Sequence, residues 1–240
     1  MDLPTQAPHF FTSVALNAIP EIDYALLVEV SQLATSNSQN SSYSHIRYAL
    51  QKLQWVKMAC LRAKHIDDEL TKIEVNDSLL MDPTGQAEHS RAVFEIMAYG
   101  KAVLDALSHF LNDRWALGMK EQTSDFKWQV FRDEVSKISP QIDGFLKSEI
   151  SWLDKDSRKS DSLPAARDEW IHRGAPEIPL AWPPTDVGVL PVPKSLDTKP
   201  GSSSISANQE NFFSTDQFVE KHWGNLVTLT KLVLHEAILV

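Results

Sequence analysis

The spacing of the apolar residues limits most what this chain can fold into. Between residues 46 and 60 they fall at Ile46, Ala49, Leu50, Leu53, Val56 and Cys60. Steps of three and four residues keep side chains on one side of a helix, whereas a half-buried strand needs alternation at every second residue. The same spacing returns at Ile22, Leu26, Leu27 and Val30, and again at Val93, Met97, Leu104, Leu107, Leu111 and Trp115. It returns a last time at Leu226, Leu229, Val233 and Ala237. No segment repeats another, and no stretch has the pattern of a β-hairpin. The spacing predicts an all-α fold, an up-and-down bundle of five to six helices.

Breaker residues set the expected boundaries. A first helix covers residues 21–34, and a polar loop follows at 35–43. Ser44 caps a long second helix that reaches about residue 76. Asp82-Pro83-Thr84-Gly85 reads as a turn, and a third helix follows from about Gln86 to Gly118, its C-cap. A fourth covers 124–153, with Phe126, Val130, Phe131, Val135 and Ile138 inward and a kink or break at Pro140. Residues 154–161 form a charged loop. Ser162-Leu163-Pro164 opens a short fifth helix, which Gly174 and Pro176 close. Residues 175–201 hold seven of the thirteen prolines. Residues 201–210 read as a flexible linker, and Ser214 or Thr215 caps a final helix over 216–239. The expected organisation is a single all-α domain over 1–240. Its core spans about 20–174 and the final helix, with a Pro/Ser-rich excursion at 175–213.

Charge and cysteine content exclude several functions. The net charge is −9. Affinity for a phosphate backbone comes largely from Lys and Arg, so any nucleic-acid role needs a local site and not the whole surface. The run Arg47, Lys52, Lys57, Arg62 and Lys64 has no acid among it, but steps of five rotate by about 140° and spread these charges around the helix. A solvated helix surface is the expected reading, with an RNA-facing surface beside it. Cys60 is the one cysteine, which rules out an intrachain disulfide and a Cys-based metal site and suits a cytoplasmic location. No basic run precedes the first apolar residues, so no signal peptide is expected. The stretch Leu226–Val240 is broken by Lys231, His235 and Glu236 and is too short to span a bilayer. No membrane role is expected.

The stretch Arg167-Asp168-Glu169-Trp170-Ile171-His172-Arg173-Gly174 carries the candidate chemistry. Arg presents a permanent cationic fork that matches phosphate oxygens, and His exchanges protons near neutral pH. The structural alternative is that Arg167 pairs with a carboxylate, Trp170 and Ile171 pack inward, and His172 caps the helix end. Glu169-x-x-His172 also has di-iron spacing, but a second copy is missing from the sequence, so neither metal nor cofactor is expected. There is no glycine-rich phosphate loop, Gly-x-Ser-x-Gly elbow or His-Glu-x-x-His motif. His65-Ile66-Asp67-Asp68-Glu69 reads as an exposed turn of helix, and His222-Trp223-Gly224 as packed.

Arg167 and His172, with four residues between them on a short helix in an all-α chain, resemble the HEPN superfamily, whose signature is Arg and His with four to six residues between them. Asp168 stands where the family often has Asn. The preceding helix, with Tyr99, Leu104-Asp105-Ala106-Leu107 and Phe110-Leu111-Asn112, is similar to the core helix of some HEPN subfamilies. The resemblance covers roughly 20–175. It implies a metal-independent endoribonuclease that acts as a homodimer on RNA, with two Arg/His pairs meeting across the interface. By that analogy His172 is the general acid or base, Arg167 steadies the phosphate, and Asp168 orients or tunes His172. A step of five residues sets the two side chains about 140° apart, which suits a site completed by a second copy. The resemblance also implies a protein partner, such as an antitoxin, in a bacterial defence or toxin–antitoxin setting. The competing class is a non-catalytic HEPN-like interaction or nucleotide-binding protein, in which the Pro-rich segment 175–201 docks a partner.

Overall fold

The computed structural model describes residues 19–36, 42–70, 79–80, 83–155, 161–173, 181–182, 192–193 and 212–238. Among these there are eight helices. They are α1 (Tyr24–Ser36), α2 (Ser42–Leu70), α3 (Pro83–Arg114), α4 (Gln129–Ile138), α5 (Pro140–Ser148), α6 (Ile150–Leu153), α7 (Leu163–Arg173) and α8 (Thr215–Ile238). The all-α class follows. The helix count exceeds the five or six expected because the fourth predicted helix is three. Pro140 lacks an N–H and cannot continue α4, so the chain turns extended at Ser139 (φ −117°, ψ 102°) and restarts. Glu149 makes a second break, at φ −111° and ψ 27°. Ser139 accepts a hydrogen bond from the N–H of Ile142 and so caps the restarted helix.

Residues 83–85 are not a turn but the first turn of α3. Proline is tolerated at the first helical position, where its missing N–H would be unpaired anyway. Gly118 is not the cap of α3 either. The N–H of Leu117 donates to the carbonyl of Asn112 at 3.0 Å, and that of Ala116 to Asp113 at 3.3 Å. This pairing is a Schellman motif, and it puts Ala116 at the left-handed position, φ +50°. Gly118, at φ +66°, turns the chain two residues later. The Asn112 side chain then holds the outgoing strand of chain from both sides, donating to the Met119 carbonyl and accepting from its N–H.

The chain divides into two compact units. The first holds the described residues within Met1–Trp55, Ala102–Ile150 and Asn225–Val240. Its core includes Leu27, Ile46, Leu53, Leu107, Phe110, Phe131 and Val233, all at 2% exposure or less. Tyr43 meets Phe110 edge-on, and Phe126 meets Phe131 likewise. Val130 and Ile138, expected inward, are exposed. Neighbouring residues on a helix differ by about 100°, and Phe131 already takes the inward direction beside Val130. Trp115 is half-buried, because α3 ends one residue before it.

The second unit holds the described residues within Val56–Lys101 and Ser151–Gly224. Val56, Ala63, Val93, Ile96, Met97, Trp152, Leu163 and Ala166 make its core. Two short antiparallel bridges, β1 (Leu79–Leu80) with β2 (Ala181–Trp182) and β3 (Val192–Pro193) with β4 (Phe212–Phe213), tie the Pro-rich stretch down at two points. The remainder of that stretch, the 201–210 linker, Gly174 and residues 71–78 lie outside the described residues. Ser214 caps α8 as expected. Its hydroxyl accepts from the N–H of Gln217 at 3.1 Å, and the Gln217 side chain accepts from the N–H of Ser214 at 3.1 Å. That reciprocal pair is a capping box.

Candidate active site on the short helix

Helix α7 forms where the sequence places it. Ser162 precedes it, accepts from the N–H of Ala165 at 3.5 Å and donates its hydroxyl proton to the carbonyl of Asp154. Leu163, Pro164, Ala165 and Ala166 are buried, so the first turn is fixed by packing as well as by its cap. One turn on, Trp170 is buried against Phe94, with ring centroids 6.3 Å apart and planes 13° from parallel. These residues commit one side of α7 to the core.

Arg167 and Asp168 are both half-buried. The Arg167 Nη1 lies 2.8 Å from Asp168 Oδ1, and the two side chains are 38% and 45% exposed. Asp168 is therefore hydrogen-bonded to the arginine beside it in the chain. Ile171, one turn beyond Arg167, is 46% exposed. The structural alternative has it pack inward with Trp170, but the two neighbours diverge by about 100° and Ile171 is exposed while Trp170 is buried. His172 sits on the last turn of α7, one turn after Asp168. Its side chain lies outside the described residues, as does that of Glu169. Among the described residues, the structure thus brings Arg167 and Asp168 together.

Other histidines are placed where sequence spacing does not reveal them. His89, on the first turns of α3, is 1% exposed. Its Nε2 lies 2.9 Å from the Thr215 hydroxyl at the start of α8, and its Nδ1 has no hydrogen-bond partner among the described residues. Burial pushes its imidazole down from 6.5 to about 4. His222 is fully buried and accepts at Nδ1 from the indole N–H of Trp152 at 3.0 Å. Indole only donates, so His222 is the neutral tautomer with its proton on Nε2. Its ring also meets Phe218 edge-on. Both residues pack as the sequence anticipates for His222, and neither is open to a substrate. His45 Nε2 approaches Asp113 Oδ2 at 3.4 Å, and its ring lies 5.6 Å from that of His109. The spacing of His109 and Asp113, one helical turn apart, is visible in the sequence. The approach of His45 from another helix is not.

Several of the basic residues of α2 have partners. Arg62 bonds to Glu95, which also holds Arg91. Lys64 lies 2.5 Å from Asp216, and Lys57 sits over the Trp223 ring. Cys60 is buried, which pushes its thiol up to about 12 against the opposing pull of Lys57 and Lys64. Among the described residues, no group of three His, Cys, Asp or Glu side chains is arranged to hold a metal ion. Nor is any described helix long and apolar enough to cross a membrane. Comparison with protein-family models, curated proteins and solved structures finds no match to this chain.

Proposed function

We propose that this chain is a HEPN-like endoribonuclease that works without metal, as a homodimer, on RNA. The observation that carries the reading is the short capped helix α7, with Arg167 half out in solvent and His172 on its last turn. In the reaction, His172 of one copy takes the proton from a ribose 2′-OH. The freed oxygen attacks the adjacent phosphorus, and Arg167 steadies the charge on the phosphorane. A second His172, protonated, gives its proton to the departing 5′ oxygen. The products are a 2′,3′-cyclic phosphate and a 5′-OH. Exposed Ile171, one turn from Arg167, offers apolar surface where a second copy would meet this face. The reading includes a protein partner of the antitoxin kind and a cytoplasmic location.

A second reading is favoured by the ion pair itself. Arg167 already has a carboxylate partner in Asp168, which suits a HEPN-like interaction or nucleotide-binding protein in which Arg167 and His172 are structural. One experiment separates the two. Purified protein is incubated with RNA in EDTA, and cleavage with cyclic-phosphate ends is expected. His172→Ala should abolish it, and Arg167→Ala should lower it on the order of a hundredfold. Equal cleavage by wild type and both variants would refute the nuclease reading. Absence of cleavage, with a lowered melting temperature in both variants, would favour the structural one.

A further inference from the structure

We infer that the outer side of the N-terminal half of α2 is a binding strip for single-stranded nucleic acid. The strip shares its ligand class with the activity proposed above but none of its residues, and it stands or falls separately.

Residues 42–66 carry five Lys or Arg and no Asp or Glu, in a chain whose net charge is −9. Within the first unit that basic stretch includes Tyr48, Lys52 and Trp55, which fall within about 60° of one another around the helix. They are on the side away from the buried positions Ile46, Ala49, Leu50 and Leu53. Tyr48 is 46% exposed and Trp55 38%, large values for rings on a helix whose other side supplies a core. The Lys52 ammonium lies 3.6 Å from the Trp55 ring centroid and 4.8 Å from that of Tyr48. A cation at these distances is attracted to the ring faces. Arg47 is exposed at the flank of the strip. His45 continues it toward the helix start, where Asp113 faces it.

The order along the helix is therefore ring, cation, ring. The two rings are seven residues apart, about 10 Å along the axis. A single strand alternates flat bases with phosphates, and aromatic side chains beside Lys or Arg are how such strands are held without regard to sequence. Both rings keep exposed surface on which a base can stack, with Lys52 and Arg47 beside it to meet phosphates. A duplex hides its base faces and offers only its phosphates, so this strip discriminates against it. An acidic protein segment would use the same charges but has no need of two flat rings in register with a cation.

The test is fluorescence anisotropy of the full chain with labelled oligo-uridylate and oligo-thymidylate of about twelve nucleotides at about 50 mM salt. Both strands should bind in the micromolar range, with a log–log salt slope of about −1.4, as expected for two phosphate contacts. Trp55→Ala and Lys52→Glu should each weaken binding by about tenfold, while Trp55→Phe keeps most of it. Melting temperatures of all three variants establish that they are folded. His172→Ala should leave binding unchanged, which separates this proposal from the nuclease reading. The inference is overturned by absence of binding at about 100 µM, by a duplex of the same length binding as tightly, or by a folded Lys52→Glu protein that binds like wild type. Polyglutamate competing equally per charge would also overturn it, in favour of an acidic protein partner.

Discussion

His89 should make this protein lose stability as the pH falls toward 5. The ring is buried at 1% exposure, with Nε2 against the Thr215 hydroxyl and Nδ1 without a partner among the described residues. Burial lowers its folded-state pKa from 6.5 to about 4. In the unfolded chain it titrates at its ordinary value. The unfolded state therefore binds a proton first, and stability is lost as pH drops below about 6.5, until the folded state also protonates near 4. A shift of this size corresponds to about 3 kcal/mol in full, of which about 2 kcal/mol is expressed by pH 5. Protonation would also put an N–H on both ring nitrogens, one of them with no acceptor among the described residues, and bring positive charge to the N-terminus of α8. The assay is urea unfolding at pH 7.5, 6.5, 5.5 and 5 for wild type and His89→Gln, whose amide can still meet Thr215 and does not titrate. At pH 7.5 the wild type should be the more stable. The gap between the two should shrink by about 2 kcal/mol on going to pH 5. A gap that stays constant with pH would show that His89 is not the buried neutral group described here.

Two further outcomes follow from the local geometry. Ala116 holds a left-handed conformation at φ +50° in the cap of α3, so Ala116→Gly should raise the unfolding free energy by about 0.5–1 kcal/mol in urea titrations, and Ala116→Val should lower it. Cys60, buried and with its thiol pushed up to about 12, should resist a thiol reagent at pH 8 in the folded protein and react fully in denaturant; prompt stoichiometric labelling of the native chain would contradict its burial.

The helical class was legible because it depends on spacing, and spacing is local. Ile46, Ala49, Leu50, Leu53, Val56 and Cys60 are all buried as the period of α2 requires. The N-caps Ser162 and Ser214 were legible for the same reason, whereas Ser44 lies inside α2, which begins at Ser42, and Gly118 is not the cap of α3. Errors arose where one sequence suits two local structures. Asp-Pro-x-Gly is good turn chemistry, yet Pro83 also suits the first position of a helix, and the apolar residues downstream decide between them. Phase was misjudged at a neighbouring apolar pair, Val130 beside Phe131, and, in the structural alternative, at Ile171 beside Trp170. In each pair one residue is buried and the other exposed, and nothing in the pair says which. At the candidate site, the helix and its exposed arginine were legible, while the Arg167–Asp168 bond depends on rotamers that spacing does not encode. His89 with Thr215 and Trp152 with His222 join residues 126 and 70 positions apart, and no local rule finds such pairs.

Asp168 decides how Arg167 is used. A carboxylate held on a guanidinium in a buried site would be a permanent partner, because separating the two would leave charges out of water. Here both groups are more than a third exposed, and an exposed pair of this kind is worth only about 0–1 kcal/mol. On the nuclease reading proposed above, a phosphodiester would displace Asp168 at little cost, so the pair would be a resting position for Arg167 and not a block.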